Sequence, residues 1–408
     1  MAREVSGCPG GWAAPLKFPS GVRAEPVGLP SGNRVPSIRI EDFRFVGKAS
    51  RGANCPQGKC LRARPSGDWE LSQPGQRGYI FREFSEFVTV PDCFSPRLVA
   101  LCAFVLSLFS ARGAEAFFVV EANSGRILLS KGADERKQVA SLTKVATAVV
   151  VLDWAKATKT DLGSALVVPP SVFHVGGSNP MGLYPGDRIS IRNALYSALL
   201  GSDNSAAQSL AHHVGHAIQN ARGRTGDPVK SFVREMNTLA RALGMRSTRF
   251  VNPHGLDLPR ARGYSTATDM ARLCIYAMRE PGFAFFVKQK SRKVSFEHEN
   301  KTKSFMIKNT NELLGEDNIN GIKTGMTRLA GQCLATSSEL QPLVEKLSET
   351  RTRLTPRRLI CVVLGSPDRF GRTRELIPKG WALYEQWSKE GAPMRDPARE
   401  RVVVPNPR

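Results

Sequence analysis

Acidic residues are scarce in this chain: 36 Asp and Glu stand against 58 Lys and Arg, a formal net charge of +22 over 408 residues. A basic balance of that size suits a polyanion. Yet no helix-turn-helix, zinc-finger or RNA-binding aromatic pattern is present, and the Lys and Arg are dispersed, so nucleic acid is not expected as a partner. A solvated basic surface, or one facing anionic lipid or polymer, accounts for the charge. Long apolar runs are missing too; the most conspicuous, Leu98 to Phe109, is too short to span a bilayer with confidence. Cysteine is thin where it would matter. Of eight, Cys8, Cys55, Cys60 and Cys93 precede residue 94 and Cys102 lies in the apolar run, leaving Cys274, Cys333 and Cys361, too few and too far apart for a disulfide framework. Cys333 and Cys361 sit on apolar strand-like runs and read as core thiols, with closure of one pair left open. Metal ligation is not expected either: Cys55 and Cys60 lack a partner pair, and the cluster His212, His213, His216 lacks an adjacent Glu or Cys. No cofactor is called, and no internal repeat is visible.

What is present is concentrated in three short strings. The first is Ser141-Leu142-Thr143-Lys144, opening the segment 141–157, which is rich in Ala, Val and Leu without Gly or Pro and predicts a largely buried helix. Residues three apart share a helix face, so the Lys144 amine can reach the Ser141 hydroxyl. An amine can take that proton only when neutral, a state that desolvation and neighbouring cations favour. A serine at a helix start also meets backbone N–H groups able to hold an oxyanion.

The second string, Ser202-Asp203-Asn204, interrupts two apolar helical patterns and exposes its side chains at the junction. A second hydroxyl at 202 can relay a proton, and the Asn204 carboxamide can orient Lys144. Alone, the string would read as a helix cap. The third, Lys323-Thr324-Gly325, lies on a strand-like run, where the first two can grip a carboxylate and the glycine lets a substrate backbone approach. Order and spacing together point to a serine acyl-transfer site.

With these motifs on the page, the chain resembles the D-alanyl-D-alanine carboxypeptidase branch of the low-molecular-mass penicillin-binding proteins, from about Phe117 to about Lys389. The stretches 176–191 (GGSNPMGLYPGDRISI), 236–245 (MNTLARALGM), 250–257 (FVNPHGLD) and 264–273 (YSTATDMARL) carry the likeness in the same order. The resemblance implies an α/β penicillin-binding-protein or β-lactamase-like transpeptidase fold: a five-stranded antiparallel sheet flanked by helices, plus a mostly helical subdomain. It further implies Ser141 as acyl-ester nucleophile, Lys144 as general base, Ser202 as proton relay and Asn204 as the orienting amide. Lys323, Thr324 and Gly325 would bind the substrate carboxylate and backbone, with the Met326 N–H joining that of Ser141 in the oxyanion hole. The partners implied are a peptidoglycan stem peptide ending in D-Ala-D-Ala and β-lactams as covalent inhibitors. Two positions depart from the family: Met326, usually aromatic or His, and Asp203, more often Gly.

Asp203 occurs in class A β-lactamases, which keeps that reading open; its distinguishing need is a Glu-bound water for deacylation. Glu235, the Glu in the corresponding region, falls inside an amphipathic helical pattern that starts at Asp227-Pro228 and ends before Gly244. A wall-binding protein without turnover is a third reading.

Four segments are expected: a leader at 1–93, a signal-like segment at 94–116 with an A-x-A cleavage site ending at Ala116, a catalytic domain at 117–390 and a short tail at 391–408. The leader is read as a wrongly assigned start, with Val88 or Val90 as true initiation candidates, against a cytoplasmic extension on a membrane-anchored enzyme. Membrane association would need 98–109 to remain uncleaved; export to the periplasm or cell envelope is expected. Within the catalytic region the patterns predict a hairpin at 117–122 and 126–131, a helical subdomain over 160–310, and a helix from Thr266. Strands follow at 319–326, 332–338 and 358–365, then a terminal helix at 371–389, with 339–357 a polar, basic insertion longer than a hairpin loop.

Overall fold

A computed structural model describes residues 114–258 and 261–407. The leader, the apolar run at 98–109 and its cysteines lie outside the described residues, as do the start candidates Val88 and Val90.

The chain opens with a hairpin, β1 (Ala116–Glu121) and β2 (Ile127–Lys131), followed by a 3-10 turn (Ala140–Leu142) and α1 (Thr143–Thr158). Next come β3 (Ala165–Val167), β4 (Arg188–Ser190), α2 (Ile191–Leu200), α3 (Asn204–Ala221) and α4 (Pro228–Ala242). Then follow α5 (Ala267–Met278), α6 (Pro281–Val287), β5 (Ser291–His298), β6 (Lys301–Lys308), β7 (Ile319–Thr327), β8 (Gly331–Lys346), β9 (Thr352–Ser366), α7 (Arg369–Lys389) and α8 (Pro397–Glu400).

The main sheet has the order β2-β1-β9-β8-β7, all antiparallel, matching the five strands expected. Its central strand β9 is buried from Leu359 to Leu364 because both sheet faces are covered, which explains the near-continuous apolar run there. Alternation sorts the side chains. Val119, Leu334, Leu359, Cys361 and Val363 pack with Leu376, Ile377 and Trp381 of α7, while Phe118, Ala335, Ile360 and Val362 belong to the larger core with α1 and α5. Helix α1 buries residues on every side, so its composition is apolar all round rather than striped.

Capping chemistry sets the helix starts. Asp203 accepts the Ala206 N–H at the head of α3, and Thr266 accepts that of Asp269 at the head of α5, the start expected from sequence.

Two expectations are corrected. The region 160–310 is not solely helical: β3, β4, β5 and β6 form a second, four-stranded antiparallel sheet. The segment 339–357 is not a loop, because β8 and β9 both continue through it as a two-stranded ribbon closed by a turn near Leu347. The short tail packs on the body of the described chain: Val402 donates its N–H to the Gly125 carbonyl, Arg272 donates to the Val403 carbonyl, and Val402 and Val404 are buried. Cys274, Cys333 and Cys361 are buried thiols with no disulfide between them, pushed up by burial to about 12, 11 and 12. Among the described residues no helix is long and apolar enough to cross a membrane.

Candidate active site

Ser141 lies in the 3-10 turn just before α1, two residues ahead of its first residue Thr143, and is preceded by Ala140 in a left-handed conformation (φ 47°). The turn is pinned from two sides. A side chain at Gly325 of β7 would press on the Ser141 backbone N at 3.0 Å, so the glycine lets the strand lie against the nucleophile. Gly255 (φ 82°) is more confined: a Cβ there would meet the Ala140 carbonyl at 1.9 Å.

One turn along α1, the Lys144 amine donates to the Ser141 hydroxyl at 3.0 Å, the Asn204 Oδ1 at 2.6 Å and the His254 carbonyl at 3.0 Å. All three donor directions of an ammonium, or two donors and a lone pair of an amine, are thereby fixed. Lys144 has no exposed surface. Desolvation lowers its pKa to about 7, with nearby Asp203 pulling the other way. At neutral pH a large fraction of this lysine is therefore a free base in contact with a serine hydroxyl.

The second string reaches the site through its third member. Asn204 is held at the start of α3: its backbone N–H donates to the Ser178 carbonyl and its Nδ2 to the Gly176 carbonyl, which leaves Oδ1 for Lys144. Asp203 is buried, accepts from the Ser197 hydroxyl at 2.7 Å and has its pKa raised by desolvation, its hydrogen bonds opposing. Its carboxylate serves the helix cap. Ser202 stands at the junction with φ 58°, but among the described residues no hydrogen bond joins its hydroxyl to Ser141 or Lys144.

On β7, Lys323 is 1% exposed and donates to the Thr324 carbonyl, and the Thr324 hydroxyl bonds that of Thr310 at 2.6 Å. Burial, with Lys144 and Arg369 as nearby cations, pushes the Lys323 pKa well below its ordinary value. Met326 is two-thirds exposed, so its side chain lines the rim rather than the interior.

Four contributors had no role in the sequence reading. His254 supplies a carbonyl to Lys144, and its imidazole is held neutral, down to about 3, by burial and then by Lys144. Asn252 builds that turn: its Oδ1 accepts the N–H groups of His254 and Gly255, and its Nδ2 donates to the Leu256 carbonyl. Thr310 buttresses Thr324, and Arg369 donates to the Gly325 carbonyl at 3.0 Å. The run NPHG was a visible turn signal; a backbone carbonyl acting on a remote lysine has no signature in sequence. Glu235 is engaged elsewhere, both its oxygens taken by Arg222 at 2.7 and 3.3 Å. The three α3 histidines form no metal-binding group among the described residues; His213 lies edge-on to Trp154.

The family described as D-alanyl-D-alanine carboxypeptidase matches residues 110–344. A D-alanyl-D-alanine endopeptidase of Pseudomonas aeruginosa is 37% identical over 222 residues, covering 53% of this chain and 64% of that protein. A D-alanyl-D-alanine carboxypeptidase of Escherichia coli is 31% identical over 282 residues, covering 67% and 62%. The chain thus spans a little under two thirds of the length of these two relatives. Among solved structures, a mutant of a Streptomyces DD-transpeptidase superposes with a TM-score of 0.54 at 27% identity, covering 65% of this chain and 97% of that one.

Proposed function

Because the chain belongs to the D-alanyl-D-alanine carboxypeptidase family, we propose that it is a serine peptidase that cleaves peptidoglycan stem peptides ending in D-Ala-D-Ala through an ester on Ser141. The observation that carries this reading is the fully buried Lys144 amine, lowered to about 7 and 3.0 Å from the Ser141 hydroxyl. Lys144 takes the hydroxyl proton as Oγ attacks the penultimate D-Ala carbonyl. The resulting oxyanion is held by the backbone N–H groups of Ser141 and Met326. Collapse expels the terminal D-Ala, whose amine takes up the proton, with the Ser202 hydroxyl as relay after a side-chain rotation. Water then attacks the ester, and Ser141 is released.

Lys323 and Thr324 hold the terminal carboxylate, with Arg369 beside them as a further cation. An arriving carboxylate supplies the negative charge Lys323 lacks, so substrate binding raises its pKa and fixes the ammonium. A β-lactam presents a strained amide to the same serine and, lacking a free leaving group, stays as the ester. Asn204 orients Lys144.

The signal-like segment at 94–116 directly ahead of the catalytic unit at 117–390 supports export to the periplasm or cell envelope, the leader being a wrongly assigned start. Ala116 is already buried in β1, and Glu115 accepts from Ser366 and pairs with Arg372, so a cut after Ala116 would strip contacts from the folded unit. N-terminal sequencing of the exported protein decides where processing occurs.

An endopeptidase preference is the second reading, favoured by the name of the Pseudomonas relative. A β-lactamase-type deacylation is disfavoured by the engagement of Glu235 with Arg222. The test is release of D-Ala from a peptide ending in D-Ala-D-Ala, run beside a cross-linked dimer and a fluorescent penicillin. The carboxypeptidase reading expects D-Ala release and durable penicillin labelling, both lost in Ser141→Ala. Cleavage of the cross-link alone selects the endopeptidase, rapid penicillin turnover the β-lactamase, and labelling without cleavage a binding protein.

A further inference from the structure

The main sheet ends where β7 and β1 stop pairing, at Ser338 and Leu359, yet β8 and β9 run on together to Lys346 and Thr352. Beyond that point no third strand among the described residues pairs with the ribbon, and past Leu340, which packs on the core beside α7, its apolar residues are largely exposed. Leu343, Val344, Leu347 and Leu354 are 42%, 68%, 50% and 62% exposed. An isolated two-stranded ribbon is marginal in water, and aliphatic side chains grouped at its tip add cost without an intramolecular return.

The register says which way these side chains face. Val344 opposes Leu354 and both share one face with Lys346 and Thr352; Leu343 opposes Thr355 on the other face, with Glu345 and Arg353; Leu347 sits in the closing turn. Apolar groups therefore surround the tip instead of lining one side. A protein partner docking against a ribbon needs one consistent face or an open strand edge. The edges here are blunted, since Pro342 and Pro356 lie across from each other at a register shift between Leu340 and Leu343, and each lacks a backbone donor. Cations flank the tip: among the described residues Lys346 and Arg351 take part in no ion pair, Glu345 is paired with Arg353, and Glu349 is the acidic residue of the closing turn.

We infer that the β8–β9 ribbon tip docks on an anionic membrane surface, Leu343, Val344, Leu347 and Leu354 entering the headgroup–acyl boundary while Lys346 and Arg351 meet lipid phosphates. Isotropic hydrocarbon accepts apolar groups from all sides of a tip, and a negative leaflet complements the flanking cations. The inference is independent of the proposed peptidase chemistry.

The test uses the full chain, with vesicles of phosphatidylglycerol and phosphatidylethanolamine or of phosphatidylcholine alone. In Leu347→Trp, the emission added over the parent protein shifts to the blue on the anionic vesicles and is quenched by brominated acyl chains, which reports the tip itself whatever else anchors the protein. The double variant Val344→Asp, Leu354→Asp weakens anionic vesicle binding at least tenfold while penicillin labelling of Ser141 is unchanged. An added emission insensitive to both vesicle types overturns the inference. So does a concentration-dependent dimer, seen in sedimentation velocity without lipid and lost in the double variant, which would make a second copy the occupant.

Discussion

Around Ser141 the protein encloses what water ordinarily keeps, the amines of Lys144 and Lys323 and the carboxyl of Asp203, while on the outer ribbon Val344, Leu347 and Leu354 face the solvent that cores exist to avoid. Burying an ionisable amine costs several kcal/mol unless its charge is relinquished or matched, and the low Lys144 pKa is the visible result. Leaving aliphatic surface wet forfeits about 25 cal/mol per Å². Asp203 caps α3, but neither the two buried amines nor the exposed ribbon side chains serve folding. Each departs from the inside–outside rule in its own direction, and the direction tells what each awaits: the cleft a carboxylate and an acyl group, the ribbon a hydrocarbon surface.

Substitutions break this contrast in graded ways. Ser141→Ala removes the attacking atom, and D-Ala release and penicillin labelling both disappear. Lys144→Met keeps the volume but removes the base; acylation, followed by stopped flow with a chromogenic penicillin, slows by about 10²–10⁴-fold. Asn204→Ala leaves Lys144 tethered only to Ser141 and the His254 carbonyl, and the misplacement lowers the acylation rate by up to about 10²-fold. Gly255→Ala puts a methyl group against the Ala140 carbonyl in a backbone conformation that side chains disfavour; thermal unfolding reports a loss of about 1–3 kcal/mol and labelling slows with it. Leu347→Asp, at the opposite pole, leaves soluble-peptide turnover unchanged and stability within about 0.5 kcal/mol. A large stability loss there would mean the ribbon is packed in a way its exposure does not suggest.

Much of the main sheet and its helices could be read from sequence, because long buried elements leave long patterns: the apolar helix after Ser141, the amphipathic spacing from Val229 to Leu239, the strands around Ile322, Cys333 and Cys361. The second sheet could not. Its strands β3 and β4 are three residues each, too short for a period-two pattern, and β5 and β6 carry so many cations that only Val294, Phe296 and Ile307 mark the inner face. The outer ribbon read as a loop because Gln341, Pro342, Ser348 and Pro356 punctuate it and no core face imposes alternation. In the cleft, side chains spaced along motifs were legible, whereas the His254 carbonyl and the Arg369 guanidinium are brought in by topology and gave no local signal.

The central claim is that burial turns Lys144 into a neutral-pH base. The direct measurement is the pH dependence of Ser141 acylation by a penicillin. With the amine held at about 7, only its unprotonated form accepts the serine proton, so the rate constant rises with pH, tenfold per unit at the acid end, and levels off through one midpoint near neutrality. A rate that keeps climbing to a midpoint above pH 9 would mean an ordinary lysine and would contradict the account.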